Sequence, residues 1–216
     1  MAQTDNLTWR PFEDADFEPL AGVLARTWLA EFPGEAGAAA SRVELARYLA
    51  LSTWSLVAAR GGEVLGAVLL AEDAGGRVGT RDWAALEASL RTDAERDPAL
   101  AEAVRVEMSG VEEEAELEAA YAATGTVGAG TAVKLLIVSP DAKGLGLGGR
   151  LFSAAVDRVR QSGAPGYHLL TDDSCDVGFY EHKGLTRAME RRSRAYWPGV
   201  DPVTDDFRVY VYEQRV

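Results

Sequence analysis

The chain has 216 residues, 47% of them hydrophobic and 26% charged, with a formal net charge of −12 at pH 7. That length allows one well-buried domain, or one domain with a large insertion, and excludes two ordinary ones. The charge excludes non-specific nucleic-acid binding, the lone Cys175 excludes an internal disulfide framework, and His168 and His182 make no metal-ligand cluster at a recognised spacing.

No apolar signal core opens the sequence, and no run approaches the roughly 18 apolar residues that span a bilayer. The expectation is a soluble, cytoplasmic protein with no nucleic acid, no membrane and no metal among its partners. The charge is unevenly placed. Between Glu72 and Glu118 stand 14 Asp or Glu and 5 Arg, so this stretch alone carries −9.

Leu7 to Arg10 reads as a first strand. Asp14 to Asp16 offers caps for a helix whose Phe17, Leu20, Leu24 and Trp28 recur at helical spacing, and Phe32-Pro33-Gly34 breaks it. Ser41-Arg42-Val43-Glu44 has the capping-box pattern, which predicts a second helix carrying Leu45, Tyr48 and Leu49. Trp54–Arg60 and Val64–Ala71 are β-prone runs around Gly61-Gly62-Glu63, a hairpin signature in which glycine supplies positive φ angles. The acidic stretch then reads as helical: Trp83, Leu86 and Leu90 share a face, Asp97-Pro98 starts a second piece, and Val111 to Ala123 makes a third. Residues of about 73–130 thus form a helical insertion between strands.

The run Val133, Leu135, Leu136, Ile137, Val138 is the next strand. It ends at Ser139-Pro140, passes a glycine-dense loop, and enters a helix that buries Leu151, Phe152, Ala155, Val156 and Val159 before Gly163 and Pro165 stop it. Strand, glycine loop and helix N-terminus together make an anion-binding arrangement, because backbone N–H groups and the helix dipole point at one spot. Tyr167–Thr171 is a further strand, and Asp172, Asp173 and Ser174 can cap a short helix that Gly184 ends. Arg187–Tyr196 and Phe207–Tyr212 make a last strand pair across Trp197-Pro198-Gly199.

Gly144-Leu145-Gly146-Leu147-Gly148-Gly149 formally satisfies the dinucleotide fingerprint G-x-G-x-x-G, and Asp172 lies near its acidic spacing. Chain order argues against that match, since such a fingerprint opens a domain and is followed by several βα units. The phosphate loop G-x-x-x-x-G-K-[ST] fails because Lys143 precedes the glycines. A plain structural turn is the bland reading.

Lys143-x-x-Gly146-x-Gly148 resembles the R/Q-x-x-G-x-G/A signature of the GNAT superfamily, the acyl-CoA-dependent N-acetyltransferases. The likeness includes the strand end Leu136-Ile137-Val138-Ser139-Pro140 and the helix through Val159. It resumes at Phe179-Tyr180-Glu181-His182-Lys183-Gly184-Leu185, which is similar to the superfamily's F-Y-E-x-x-G-F helix end. The order of elements agrees, and the acidic insertion lies outside it. The fold that the resemblance implies is α/β (α+β): a mixed, mostly antiparallel sheet flanked by helices, in a single domain over residues 1–216 with the insertion.

The resemblance implies an acetyl-CoA-dependent N-acetyltransferase that transfers acetyl to a primary amine by direct attack in a ternary complex. Gly144, Leu145, Gly146, Leu147, Gly148 and Gly149 would hold the CoA pyrophosphate, and Lys143 keeps a cation where the signature has Arg or Gln. The pantetheine arm would pair with backbone near Leu136, Ile137 and Val138, where the strand splays from its neighbour and where a backbone N–H serves the oxyanion. Tyr180 would protonate the departing thiolate; its bland alternative is a core aromatic. Superfamily members are often dimers, so a homodimer is one expectation, although no stripe marks an interface.

The general base is not legible. Many members carry a Glu near the start of the central strand, where this chain reads Thr131-Ala132-Val133. Asp172, Asp173, Glu31, Glu35 and acidic residues of the insertion are candidates, as is a water relay. The insertion would cover the acceptor side as a lid or wall, and its charge would steer a cationic amine such as a polyamine, aminoglycoside or basic peptide end. Cys175, His168 and His182 read as structural, and Glu112-Glu113-Glu114 as a solvated helix face. The missing Glu supports a rival, a non-catalytic acyl-CoA-binding regulatory domain; a nucleotide-dependent oxidoreductase is third.

Overall fold

The computed structural model describes residues 7–73, 75–126, 128–195, 200–201 and 204–216. Among these residues seven strands form one sheet in the order β1-β2-β3-β4-β5-β7-β6. They are β1 (Leu7–Arg10), β2 (Trp54–Arg60), β3 (Glu63–Glu72), β4 (Thr131–Val138), β5 (Gly166–Asp172), β6 (Thr186–Arg192) and β7 (Arg208–Arg215). Every neighbouring pair is antiparallel except β4 and β5, which run parallel. The β2–β3 turn uses Gly61 and Gly62 at φ 59° and 89°, as the hairpin signature requires.

The alternation of β4 sorts its side chains onto two cores. Leu135 and Ile137 pack under α1 (Phe17–Trp28) and α2 (Glu35–Leu51), together with Trp83 of α3 (Trp83–Ala94). Leu136 and Val138 face α5 (Leu147–Ser162), whose Leu151, Phe152, Ala155, Val156 and Val159 are buried there. A third cluster joins Ala40 and Val43 of α2 to Ala103, Val104, Met108 and Val111 of α4 (Pro98–Ala122). The stretch between β3 and β4 is therefore built into the body through α2.

Several local expectations change. The second helix starts at Glu35, after Gly34 at φ 73°, six residues ahead of the capping-box serine. Ser41 Oγ instead donates to the Ala38 carbonyl within the helix at 3.0 Å, because the alanines before it already favour helix. The second and third helical pieces of the acidic stretch are one 25-residue helix, capped by Asp97 with Pro98 in its first turn; the buried Val111 packs with α2 and carries it through Gly110. The short helix α6 (Val177–His182) is capped by Asp176, which accepts from Phe179 N at 3.2 Å, and not by Asp172–Ser174.

The closing strands pair as predicted, but β6 ends at Arg192, before the predicted Tyr196. Arg194 N and Ala195 N donate to the Glu113 carboxylate of α4, at 2.8 and 3.1 Å, in place of a strand partner. The turn predicted at Trp197-Pro198-Gly199 lies outside the described residues.

Candidate functional site

The site begins with a fault in the sheet. β4 and β5 pair only at Ala132↔His168 and Val133↔Leu169, and then part. On the other edge of β4 the register with β3 passes from Leu70↔Val133 to Leu69↔Leu135, so Lys134 is an extra, bulged residue. A bulge bends the strand that carries it, which here turns β4 away from β5. Ser139 N donates to the Leu65 carbonyl at 2.8 Å and sets the hydrogen-bonding phase. By alternation, the backbone groups of Leu135 and Ile137 turn to β3, and those of Leu136 and Val138 face the gap.

At the end of that gap stands the N-terminus of α5. Gly144 and Gly146 have φ of 87° and 70°, a region that L side chains rarely adopt, and a Cβ at either would meet nothing within 4 Å. The glycines are there for the backbone path, and the space beside them is open. Gly146 is the N-cap and brings no capping side chain, so the N–H groups of Leu147, Gly148 and Gly149 have no intrahelical acceptor. Lys143 is exposed next to the loop, and Leu145 packs against the α5 core. A second cation was not anticipated: Lys183 Nζ lies 3.8 Å from where a Cβ on Gly149 would stand. Open donors, a helix dipole and two ammonium groups fit a diphosphate.

A cleft of about 370 Å³ continues from the gap. Tyr180, Cys175, Asp172 and Leu136 line it together with residues of α1, α2 and α4. Both adjacent aromatics pack on Phe152, Phe179 edge-on at 5.6 Å and Tyr180 at 6.2 Å, but of the two Tyr180 alone lines the cleft. No hydrogen bond engages the Tyr180 hydroxyl among the described residues. Burial, then the neighbouring Cys175 and Glu114, push its pKa up, so it is a phenol at neutral pH and a proton donor. Burial and Asp172 raise the Cys175 thiol to about 11, which leaves it protonated and a poor acyl acceptor.

The candidate bases separate cleanly. Asp173 accepts from Tyr210 Oη at 2.5 Å and Arg208 N at 2.7 Å, and Glu35 pairs with Arg42 at 2.8 Å; neither lines the cleft. Asp172 does, with Ser174 N and Oγ donating to it at 2.7 and 2.5 Å, and Glu31 lines the rim. The larger contribution comes from Glu44 of α2 and from Glu107, Glu114 and Glu118 of α4. Burial first, and then Asp172 and Glu107, raise Glu114 to about 8. Burial also raises Glu107, to about 7, and Glu44 well above the usual carboxylate range beside it. Glu118 differs: burial would raise it, but His168 Nε2 at 2.9 Å and the Lys134 ammonium hold it at about 2.

The expectation of a solvated face at Glu112-Glu113-Glu114 therefore holds for Glu112 alone, which is exposed. Glu113 is buried under the β6–β7 connection and Glu114 faces the cleft. The signal for this was in the spacing. Glu107, Val111, Glu114 and Glu118 recur at i, i+4, i+7 and i+11, which puts three carboxyls on one face. His168, by contrast, is structural as expected, buried with Nδ1 2.8 Å from the Gly128 carbonyl oxygen.

No family model and no curated protein matches the sequence. Solved structures do. The ribosomal-protein-S18-alanine N-acetyltransferase from Escherichia coli superposes with a TM-score of 0.56 at 14% identity, over 97% of this chain and 94% of that one. An agmatine N-acetyltransferase variant gives 0.55 at 14% identity, over 98% and 100%. A GNAT-family acetyltransferase from Streptococcus pneumoniae gives 0.51 at 14% identity, over 97% and 99%. The fold of this chain is that of the GNAT acetyltransferases, a mixed, mostly antiparallel sheet flanked by helices. No helix among the described residues is long and apolar enough to cross a membrane.

Proposed function

We propose that this chain is an N-acetyltransferase that moves an acetyl group from acetyl-CoA to a primary amine by direct attack within a ternary complex. The observation that carries the reading is the parting of β4 and β5 after Val133 and Leu169. It lies between an uncapped helix N-terminus and a cleft walled by Tyr180 and carboxyls. The fold supports it, since solved proteins that share it include N-acetyltransferases of a ribosomal-protein alanine and of agmatine. Residues 73–130 act as an insertion in one domain, with α4 as a fixed wall of the acceptor side.

In this reading the N–H groups of Leu147, Gly148 and Gly149 hold the diphosphate, with Lys143 and Lys183 beside it. Gly144, Leu145 and Gly146 shape the loop. Leu136 and Val138 offer backbone hydrogen bonds to an arm laid in the gap, while Ile137 anchors the strand to β3. Acetyl-CoA supplies the thioester. Glu114, in its carboxylate form, takes a proton from the amine, whose lone pair forms the new C–N bond. Val138 N–H stabilises the carbonyl oxygen as it gains charge, and Tyr180 gives its proton to the sulfur that leaves with the C–S bonding pair.

Thiol release from acetyl-CoA over a panel of primary amines, at a pH above the Glu114 value of about 8, tests the reading. Amine-dependent release that Tyr180→Phe lowers is the expected result. Thermal protection by acetyl-CoA with no turnover on any amine would instead assign a non-catalytic acyl-CoA-binding domain. Protection by NAD(P) alone would contradict both.

A further inference from the structure

The acceptor arm of the cleft carries more carboxyl groups than one proton transfer uses. Glu44 is 2% exposed, and its Oε2 is buried with no hydrogen-bond partner among the described residues. A buried, unpartnered carboxyl oxygen is costly, and no ion pair among the described residues relieves it. Among the described residues, neither Glu44, Glu107 nor Glu114 forms an ion pair. The cations lining the same cleft are committed elsewhere, Arg47 to Glu87 at 3.8 Å and Lys134 to Glu118.

The spacing adds a second constraint. Glu107 and Glu114 are two helical turns apart, about 10 Å along α4, and Glu44 neighbours the Glu107 end. Val111 stands between these two carboxyls on α4, and Trp28 and the 47% exposed Leu51 add apolar surface to the same cleft. Two acidic stations joined by an apolar wall match a methylene chain with a positive charge at each end.

We infer that this arm seats the far ammonium of a linear diamine or polyamine between Glu44 and Glu107, while the near amine meets Glu114 and Tyr180. The inference rests on the acetyl-transfer reading for which nitrogen reacts, but the seat itself is a binding site and is testable without turnover. A monoamine of the same length satisfies the reacting end and brings no cation to Glu44 Oε2, so discrimination against it is a property of the pocket.

The test pairs calorimetric titration of butylamine, putrescine and spermidine into the CoA-saturated protein with thiol release from acetyl-CoA using the same amines. The expected result is at least about tenfold tighter binding and about tenfold higher kcat/KM for a diamine or triamine than for butylamine. Glu44→Gln should shrink that ratio to within about twofold while the melting curve stays cooperative. Should that variant fail to fold, Glu107→Gln takes its place in the same comparison. Equal use of butylamine and the polycations overturns the seat and leaves acetyl transfer standing, as does full preference retained in a folded variant. Binding of putrescine or spermidine that depends on Glu44, with no thiol release, supports the seat and counts against the acetyl-transfer reading. No binding of either polycation overturns the seat.

Discussion

Glu113 and Glu114 are consecutive residues of α4, yet they sit in opposite electrostatic regimes. Glu113 is buried under the strap that follows β6, where Arg194 N, Ala195 N and Ser193 Oγ donate to it and Arg191 lies at 3.5 Å. Burial would raise its pKa, but those donors outweigh it and the value falls. Glu118, one turn past Glu114 on the cleft face, is held low in the same way by His168 and Lys134. Glu114 receives no such donor among the described residues and rises to about 8. Withdrawal from water is common to all three, so the donors decide the sign. Glu113 and Glu118 are paired by neighbouring donors, whereas Glu114, on the same cleft face as Glu118, has no ion pair among the described residues.

Tyr180, which borders the unpaired group, gives the largest expected effect. Tyr180→Phe should lower kcat for thiol release about a hundredfold with little change in the KM for acetyl-CoA. An unchanged kcat would return Tyr180 to a packing role. On the paired side, Glu113→Ala leaves three half-buried hydrogen bonds unmade and should cost about 2 kcal/mol, read as a lower urea midpoint at constant m. A loss under about 0.5 kcal/mol would mean that the strap is held by other contacts.

Glu114→Gln sharpens the contrast through pH. Because the base works as a carboxylate, wild-type kcat/KM should climb with pH and level off above about 8. The variant should lose about tenfold at the plateau and lose that inflection. An inflection that persists would assign the proton to another group. Stability should also depend on pH. Glu107 and Glu114 hold protons up to about 7 and 8 when folded, against an ordinary 4.5, so the folded state binds more protons across that window. Stability contributed by their protonated forms is present below about 4.5 and is lost as pH rises through 7 to 8. Thermal melting should show this fall, shallower in Glu114→Gln.

The half of the site that the chain builds locally was legible. Val133 to Val138, the glycine loop and the α5 stripe lie within one stretch, and each speaks through period, turn chemistry or dipole. The parting of β4 from β5 and the cleft position of Tyr180 followed from the resemblance those residues carry. The acceptor half was not legible because it is assembled from residues far apart in sequence. Glu44 read as a capping-box residue since its local pattern fits one, and only the packing of α2 on α4 turns it into the cleft. The break expected near Val111 hid the i, i+7, i+11 stripe of Glu107, Glu114 and Glu118, which spans it. Lys183 stood in a helix-end motif with nothing local to link it to Gly149, which only the tertiary fold brings near.

A crystal structure with CoA bound tests the central claim most directly. The expected result is the diphosphate against the N–H groups of Leu147, Gly148 and Gly149, the pantetheine arm in the gap beside Leu136 and Val138, and the sulfur within hydrogen-bonding reach of the Tyr180 hydroxyl. CoA seated away from the β4–β5 gap, or Tyr180 turned from the sulfur, would contradict it.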